Sequence, residues 1–197
     1  GIDETCVAFV AELLYLAGLI VIDTDDAILP TAAFDLWITR SHEERWHNLV
    51  SLWLETSRVS GLIGKGEQKF TAPLGPEIDR AGISSLRKKL ISTLDSQKEL
   101  APEFESLSEV IKWQAPQRFN SDYVKWTMRE AEWLGLTGQG ALSSFGLAFL
   151  NGEDLGVKSA LPAPVDHILL QNDNSAIAPG PLTVDLANSI GTIADIE

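Results

Sequence analysis

Cationic side chains at helical spacing are the residues in this 197-residue sequence best suited to chemistry. Lys125 and Arg129 stand four positions apart, and Arg118 lies shortly before them. Side chains four apart share one face of a helix, where Lys and Arg can contact phosphates or base edges. Three acids lie in the same segment, so a solvated face with ion pairs is favoured, and nucleic-acid contact is the alternative.

A second group of cations consists of Arg87, Lys88 and Lys89, with Arg80 shortly before. This is the densest basic cluster in the sequence. It has the composition of a surface that contacts nucleic acid or an acidic partner. The favoured interpretation is again the solvent-facing side of a helix.

Catalytic and cofactor motifs are not recognisable in the sequence. Gly61–Gly66 (GLIGKG) lacks the Ser or Thr and the glycine spacing of a phosphate-binding loop. Gly140–Gly146 lacks the spacing of a hydrolase nucleophile elbow. His42 and His47 are five residues apart, which places their rings on different faces of a helix. We therefore expect no enzymatic activity, no catalytic residue, no metal and no cofactor.

The charge and the cysteine content limit the function classes further. The chain has 15 Lys and Arg against 28 Asp and Glu, for a net charge of −13. Such a field repels phosphate backbones, so DNA binding is expected to be weak. A single cysteine excludes an internal disulfide, and no apolar run reaches the roughly 20 residues that span a bilayer. We expect a cytoplasmic protein, with association to the nucleoid as an alternative, and no membrane partner.

Residues 3–17 have the pattern of a helix with apolar residues on both faces, and so predict a largely buried helix. The two apolar rows are Val7, Val10, Leu14 and Ala17, and Phe9, Leu13 and Leu16. Gly18 is suited to end this helix, residues 19–29 predict a hairpin with an Asp-rich turn, and Pro30-Thr31 opens another helix.

The middle of the chain predicts four more helices. Ser41 and Glu44 form a capping-box pattern at the start of the first, which runs to about Thr56. Trp37, Trp46 and Trp53 are expected to form one aromatic core. The next three helices are expected to start at Ser84 or Ser85, at or near Ser106, and at Asn120 or Ser121.

The stretch Tyr123–Leu150 combines a helix, a Gly-rich hairpin and a short helix, and two helices precede it. Three helices followed by a hairpin and a helix is the winged-helix order. The sequence around Gly18 and Leu19 matches that around Gly135 and Leu136. After the hairpins, Phe34 and Leu36 of the first stretch correspond to Phe145 and Leu147 of the second. We therefore infer an internal repeat. Chance use of a common local structure is the alternative.

The expected fold class is mostly α with short β-hairpins, an α+β arrangement of tandem winged-helix-like units plus the start of a small α/β domain. The predicted divisions are a truncated winged-helix-like unit with following helices (1–57), a linker (58–83), a winged-helix unit (84–151), a linker (152–164), and an incomplete final domain (165–197). Within that domain, Val165–Gln171 and Ser175–Ala178 predict strands and Thr183–Ile196 predicts a helix.

Four stretches carry a resemblance to a known family. They are PVDHILLQNDNSAIAPGPLTVDLANSIGTIADIE (164–197), AGLI with LPTAAFDLW, the RW…L…WL…SR run at Arg45–Arg58, and VKWTMREAEWLGLTGQGALS. The first resembles the opening of the helicase-associated domain of large actinobacterial proteins. That domain is similar to the N-terminal region of XPB-type repair and transcription helicases.

The resemblance implies an internal piece of a longer, DNA-associated and helicase-like protein. No helicase motor motif is present in the sequence, so ATPase activity is not implied. The expected function is a non-catalytic winged-helix scaffold or interaction module whose partner is another protein or the rest of its own longer chain. The alternative is direct binding of double-stranded DNA through the second winged helix. Its contacts would be Lys125, Arg129, Arg118, Arg87, Lys88 and Lys89.

Overall fold

Helices joined by short antiparallel strand pairs make up the structure. The computed structural model describes residues 3–65, 71–97, 100–116, 120–153 and 163–194. Three separate two-stranded antiparallel sheets occur within these residues. The expected class, mostly helical with short β-hairpins, is confirmed at this level.

The first unit comprises residues 3–38. Its elements are α1 (Glu4–Leu16), β1 (Ile20–Ile22), β2 (Ile28–Pro30) and α2 (Ala32–Ile38). The Asp3 carboxylate accepts a hydrogen bond from the Thr5 backbone N–H at 2.9 Å and thereby caps α1. In the hairpin, Val21 pairs with Leu29 and Ile22 with Ile28.

Helix α3 (His42–Glu55) follows the first unit and begins as predicted. The Ser41 hydroxyl accepts from the Glu44 N–H at 3.2 Å, and the Glu44 carboxylate accepts from the Ser41 N–H at 2.9 Å. The Ser41 backbone N–H and the Ser41 hydroxyl both donate to the Glu44 carboxylate, and these hydrogen bonds lower the pKa of Glu44. The predicted capping box is confirmed.

The second unit comprises residues 83–151. Its elements are α4 (Ile83–Ser96), α5 (Phe104–Gln114), α6 (Ser121–Trp133), β3 (Thr137–Gly138), β4 (Ala141–Leu142) and α7 (Ser144–Asn151). Asn120 caps α6, as expected, by accepting the backbone N–H groups of Asp122 and Tyr123.

One of the predicted helix starts is wrong. Gly82, with φ of 87°, occupies the N-cap of α4, and the Ser84 hydroxyl instead donates to the Leu54 carbonyl at 2.7 Å. Ser84 therefore joins α4 to α3 instead of capping α4, and a local capping pattern does not predict this contact. Helix α5 begins at Phe104, close to Ser106 as expected.

The last described segment, residues 163–194, contains a small hairpin and a helix. Strands β5 (Leu169–Leu170) and β6 (Ala176–Ile177) pair within the two predicted strand regions, and α8 (Val184–Gly191) begins one residue after Thr183. A parallel bridge joins Val165 to Leu182. No residue of this segment is buried, and residues 195–197 lie outside the described part of the chain.

One hydrophobic core contains residues from both units and from α3. Phe9 and Leu13 of α1 belong to the same buried cluster as Trp53, Leu90 and Ile111. The first and second units are therefore packed together through shared apolar side chains. Their separation in the sequence does not produce two independent cores.

The three tryptophans expected in one aromatic core have different environments. Trp53 is fully buried, and its Nε1 donates to Glu130. Trp46 packs edge-on against Phe149 with ring centroids 5.7 Å apart. Trp37 stacks on Phe34 with ring centroids 6.3 Å apart. The prediction of a single aromatic core is wrong for Trp37, which does not belong to the core cluster, whereas Trp46 packs against the cluster that contains Trp53.

The segment predicted to be a linker, 58–83, is packed into the fold where it is described. It contains two one-turn 3₁₀ helices, Ser60–Leu62 and Pro76–Ile78. Val59 and Ile78 are buried, and the Val59 N–H donates to the Ile78 carbonyl at 3.0 Å. Residues 66–70, and residues 154–162 of the other predicted linker, lie outside the described ranges.

The two segments matched as a repeat end their first helices with the same backbone hydrogen bonds. Gly18 and Gly135 end α1 and α6 with φ of 68° and 71°. In each case the N–H of the following leucine donates to a carbonyl five residues earlier at 2.9 Å. Both helices therefore end in the same Schellman-type turn, for which the left-handed glycine is required.

The residue that follows each hairpin makes the same hydrogen bond in both units. The Thr31 hydroxyl donates to the Gly18 carbonyl at 2.7 Å, and the Ser143 hydroxyl donates to the Gly135 carbonyl at 2.5 Å. Thr31 and Ser143 are the N-caps of α2 and α7. Aligned on these caps, Phe34 corresponds to Gly146, so the sequence match of Phe34 with Phe145 is one residue out of register.

Helix α1 is buried on one face only. Phe9 and Leu13 are each 3% exposed, whereas Val7 is 53% and Val10 45% exposed. The prediction that α1 is largely buried is wrong, because the shared core covers only the Phe9–Leu13 side.

Candidate functional site

Lys125 and Arg129 lie on the solvent-facing side of α6, and both are exposed. Val124 and Thr127 point into the core from the same helix. The Arg129 guanidinium lies 5.9 Å from the centroid of the Trp133 ring, a cation–π arrangement. The structure therefore leaves both predicted contact residues of α6 accessible.

Arg87 must be removed from the predicted basic surface, because its side chain is buried. It is 1% exposed. Its two terminal nitrogens donate to the carbonyls of Trp53, Thr56 and Arg58 at 2.8–3.0 Å. Burial lowers the pKa of Arg87, and the Glu130 carboxylate opposes that shift. A guanidinium with these contacts cannot reach an external phosphate.

Glu130 is the carboxylate that compensates the Arg87 charge. The two side chains are 3.0 Å apart at their closest atoms, and both are almost fully buried. Glu130 Oε2 also accepts from Trp53 Nε1 at 2.8 Å, and Oε1 accepts from the Ser60 hydroxyl at 2.7 Å. The carboxylate thereby joins α3, α4, α6 and the first 3₁₀ helix.

A second buried ion pair joins α1 to the segment between α3 and α4. Arg58 Nε donates to Glu12 Oε2 at 2.6 Å, and Glu12 Oε1 accepts from the Leu74 N–H at 2.6 Å. The Arg58 Nη2 atom donates to the Gly75 carbonyl at 2.9 Å. The Glu12 side chain is 3% exposed. These hydrogen bonds hold the segment around Leu74 and Gly75 against α1.

The remaining predicted contact residues lie on α4 or outside the described part of the chain. Lys88 forms an ion pair with Glu55 at 2.6 Å on the exposed side of α4. Lys89 is exposed one position further along α4. Arg118 lies outside the described residues. The accessible cations of the predicted set are therefore divided between α4 and α6.

A cleft of about 250 Å³ lies between α1, α6 and the first 3₁₀ helix. Trp126 and Trp133 line it together with Arg129, and the Lys65 ammonium lies 4.2 Å from the centroid of the Trp126 ring. A Cβ on Gly61 would overlap the Trp126 indole, so this glycine allows the close approach of loop and helix. Glu4 and Glu130 also line the cleft, but the Glu130 carboxylate is paired with Arg87, so two cations and one unassigned acid, Glu4, remain in the lining.

The described residues contain neither a cluster of metal ligands nor a membrane-spanning helix. No group of three or more His, Cys, Asp or Glu side chains there is arranged to hold a metal ion. In the same part of the chain, no helix is long and apolar enough to cross a membrane.

Known proteins do not assign the chain to a family. No protein-family model matches it, and no significant match was found among curated proteins or solved structures. The resemblance to helicase-associated domains is therefore an expectation from sequence motifs alone.

The buried ion pairs were missed by sequence reasoning, although one signal was present. In the repeat, Glu130 aligns with Leu13, which is a core residue. A carboxylate at a core position requires a buried cation or several hydrogen-bond donors. The partner, Arg87, lies 43 residues away and was assigned to the surface.

Proposed function

We propose that this chain is a non-catalytic scaffold and interaction module, built from two winged-helix-like units, in a DNA-associated and helicase-like protein. The observation that supports the proposal is that the buried ionisable groups form hydrogen bonds between elements of the fold. Glu130, Arg87, Glu12 and Arg58 are held by structural hydrogen bonds that join different elements. Groups committed in this way stabilise a fixed arrangement and are not free for acid–base chemistry.

The repeated turn geometry supports the winged-helix part of the proposal. Each unit contains a helix, a Gly-ended turn, a hairpin and a capped second helix, and α4 and α5 precede α6 in the winged-helix order. The motifs at 164–197 and Arg45–Arg58 support the DNA-associated, helicase-like context. The net charge of −13 favours a protein partner over a phosphate backbone.

The decisive experiment is a titration of a fluorescent DNA duplex with the 197-residue protein at low and at high salt. The proposal predicts no measurable change in anisotropy, even at low salt, because the field of the chain repels the duplex. Binding that weakens steeply with salt would overturn it in favour of direct DNA binding.

Direct DNA binding through the second unit is the competing function, and it is favoured by one observation. Lys125 and Arg129 are both exposed, one helical turn apart, on the face of α6 that does not contact the core. The double variant Lys125→Glu with Arg129→Glu would then abolish duplex binding. The matched control is Lys112→Glu, which reverses an exposed charge on α5 and would leave binding almost unchanged.

A further inference from the structure

An apolar surface on the first unit is exposed, and it is formed by α1 and the adjoining hairpin. On α1, Val7 and Val10 are 53% and 45% exposed. On β2, Ile28 and Leu29 are 55% and 45% exposed. Helix α1 packs directly against β1, the partner strand of β2. Successive residues of a strand point to opposite faces of the hairpin, so Ile28 and Leu29 do not share one surface. We call Val7, Val10 and Leu29, with the partly exposed Leu14, the α1 surface.

The second unit shows what covers the same surface there. Aligned on Gly18 and Gly135, Val7 corresponds to Val124 and Val10 to Thr127, which are 0% and 1% exposed. Helices α4 and α5 pack against α6, and α4 also packs against β4. The side of the repeat that is exposed in the first unit is therefore covered in the second unit by helices of this same chain.

Charge distinguishes between the occupants that this surface could accept. Residues 3–38 contain seven Asp and Glu and no Lys, Arg or His. Asp3 lies at the start of α1, and Asp23, Asp25 and Asp26 lie at the turn of the hairpin. A second copy of the chain would place like charges opposite one another, whereas a basic partner would be attracted.

Helix α4 supplies an example of a complementary occupant. It presents Ile83, Leu90, Ile91 and Leu94 to the core together with the buried Arg87, and Lys88 and Lys89 are exposed beside this stripe. It is thus a basic amphipathic helix that covers the apolar side of α6. The same combination of an apolar stripe and basic flanks matches the acidic, apolar α1 surface.

We propose that the α1 surface is a docking site for a basic amphipathic helix of a protein partner, seated as α4 is seated on α6. The apolar stripe of the partner helix covers Val7, Val10 and Leu29, and its Lys and Arg side chains face the aspartates of the hairpin turn. This inference rests on the proposed function and identifies the partner class that the module takes.

The test uses the 197-residue protein and a fluorescein-labelled peptide that copies residues 82–97. We expect saturable binding by anisotropy, with a Kd of about 10 μM that weakens as salt is raised. Replacing Lys88 and Lys89 of the peptide by Glu, at the two positions that are exposed on α4, is expected to weaken binding by about tenfold or more.

Two protein variants locate the binding site. Val7→Asp with Val10→Asp is expected to weaken binding by about tenfold or more, since it places charge in the apolar stripe. The matched control is Leu169→Asp with Leu170→Asp, which alters two exposed leucines of β5 and is expected to leave the Kd unchanged. Thermal unfolding of both variants verifies that they fold.

Cys6 provides an independent readout, because it is partly exposed and lies beside Val7 and four residues before Val10. Bound peptide is expected to slow the reaction of this thiol with a disulfide reagent several-fold. Binding that is insensitive to the Val7 and Val10 changes, or that leaves the Cys6 rate unchanged, would overturn the proposal.

Two other results would also overturn it. One is the absence of peptide binding. The other is self-association, detected by light scattering, that the Val7→Asp and Val10→Asp variant abolishes, since the occupant would then be a second copy. The DNA titration reports on α6 and not on the α1 surface, so failure here is distinguishable from failure of the proposed function.

Discussion

Arg87, Lys88 and Lys89 are adjacent in the sequence, yet their side chains have different environments. Successive residues of an α-helix are rotated by about 100° around its axis, so three consecutive cations cannot share one face. Arg87 points into the core and bonds Glu130, whereas Lys88 pairs with Glu55 in solvent. A charge run on a helix therefore has to be divided by face before it is interpreted as a binding surface.

The buried Arg87–Glu130 pair leads to a stability prediction. Arg87→Ala removes the only ionic partner shown for Glu130 in the described part of the chain and leaves a buried carboxylate without compensation. The free energy of unfolding is expected to fall by about 3–5 kcal/mol. The measurement is equilibrium denaturation in urea followed by tryptophan fluorescence.

The control for this prediction is Lys88→Ala, which breaks the exposed pair with Glu55. Its effect is expected to be about 1 kcal/mol or less, because both side chains are largely solvated. The double variant Arg87→Met with Glu130→Leu is expected to be more stable than Arg87→Ala alone, since no charge remains buried. Equal effects of Arg87→Ala and Lys88→Ala would contradict the assigned burial.

At the scale of elements, the same turn ends α1 and α6. Gly18 and Gly135 adopt positive φ, and a Cβ added at either position would meet no atom within 4 Å. The cost of a side chain at these positions is therefore backbone strain alone. The chain returns to each turn after the hairpin, where the Thr31 hydroxyl donates to the Gly18 carbonyl and the Ser143 hydroxyl donates to the Gly135 carbonyl.

Replacing each of these glycines by alanine tests whether both turns require the left-handed conformation. Gly18→Ala and Gly135→Ala are each expected to lower the free energy of unfolding by about 1–2 kcal/mol, the cost of the left-handed conformation for a residue with a Cβ. Thermal or urea unfolding provides the measurement. Gly138→Ala is the control, because this exposed position lacks positive φ and a Cβ there also meets no atom. A larger loss at Gly138 than at Gly135 would count against this account.

At the scale of the whole molecule, the two units depend on a common core. Phe9 and Leu13 of α1 are buried with residues of α3, α4, α5 and α6. The Phe9 and Trp133 ring centroids are 5.5 Å apart, which links the two helices that end in the repeated turns. The Glu12–Arg58 pair adds a polar link between α1 and the segment that precedes α4.

Shared burial predicts that residues 3–151 unfold together. Leu13→Ala is expected to lower the free energy of unfolding by about 2–5 kcal/mol and to shift the whole transition, because it opens a cavity in the common core. Tryptophan fluorescence and far-ultraviolet circular dichroism measured on the same samples provide the test. Leu36→Ala, at a side chain that is 70% exposed, is the near-neutral control. Two separated fluorescence transitions would show that the units fold independently.

Local sequence patterns determined much of the element order of this protein. The capping box at Ser41, the Asn120 cap and the Gly-ended turns depend on residues within a few positions of one another, so their chemistry is complete in the sequence. The mostly helical class with short hairpins follows from the same local signals. The mutual agreement of caps, periodicity and turn residues is what makes such elements predictable.

Tertiary structure alone decided which faces are buried and which charges are accessible. Arg87 and Glu130 are 43 residues apart, and Arg58 and Glu12 are 46 apart, so neither pairing has a local signature. The two apolar rows of α1 are indistinguishable by periodicity, yet the core covers only one of them. Periodicity reports that a face can be buried, whereas the neighbouring elements determine whether it is. The physical reason is that burial depends on long-range packing, which assigned Arg87 to the core and left Val7 and Val10 exposed.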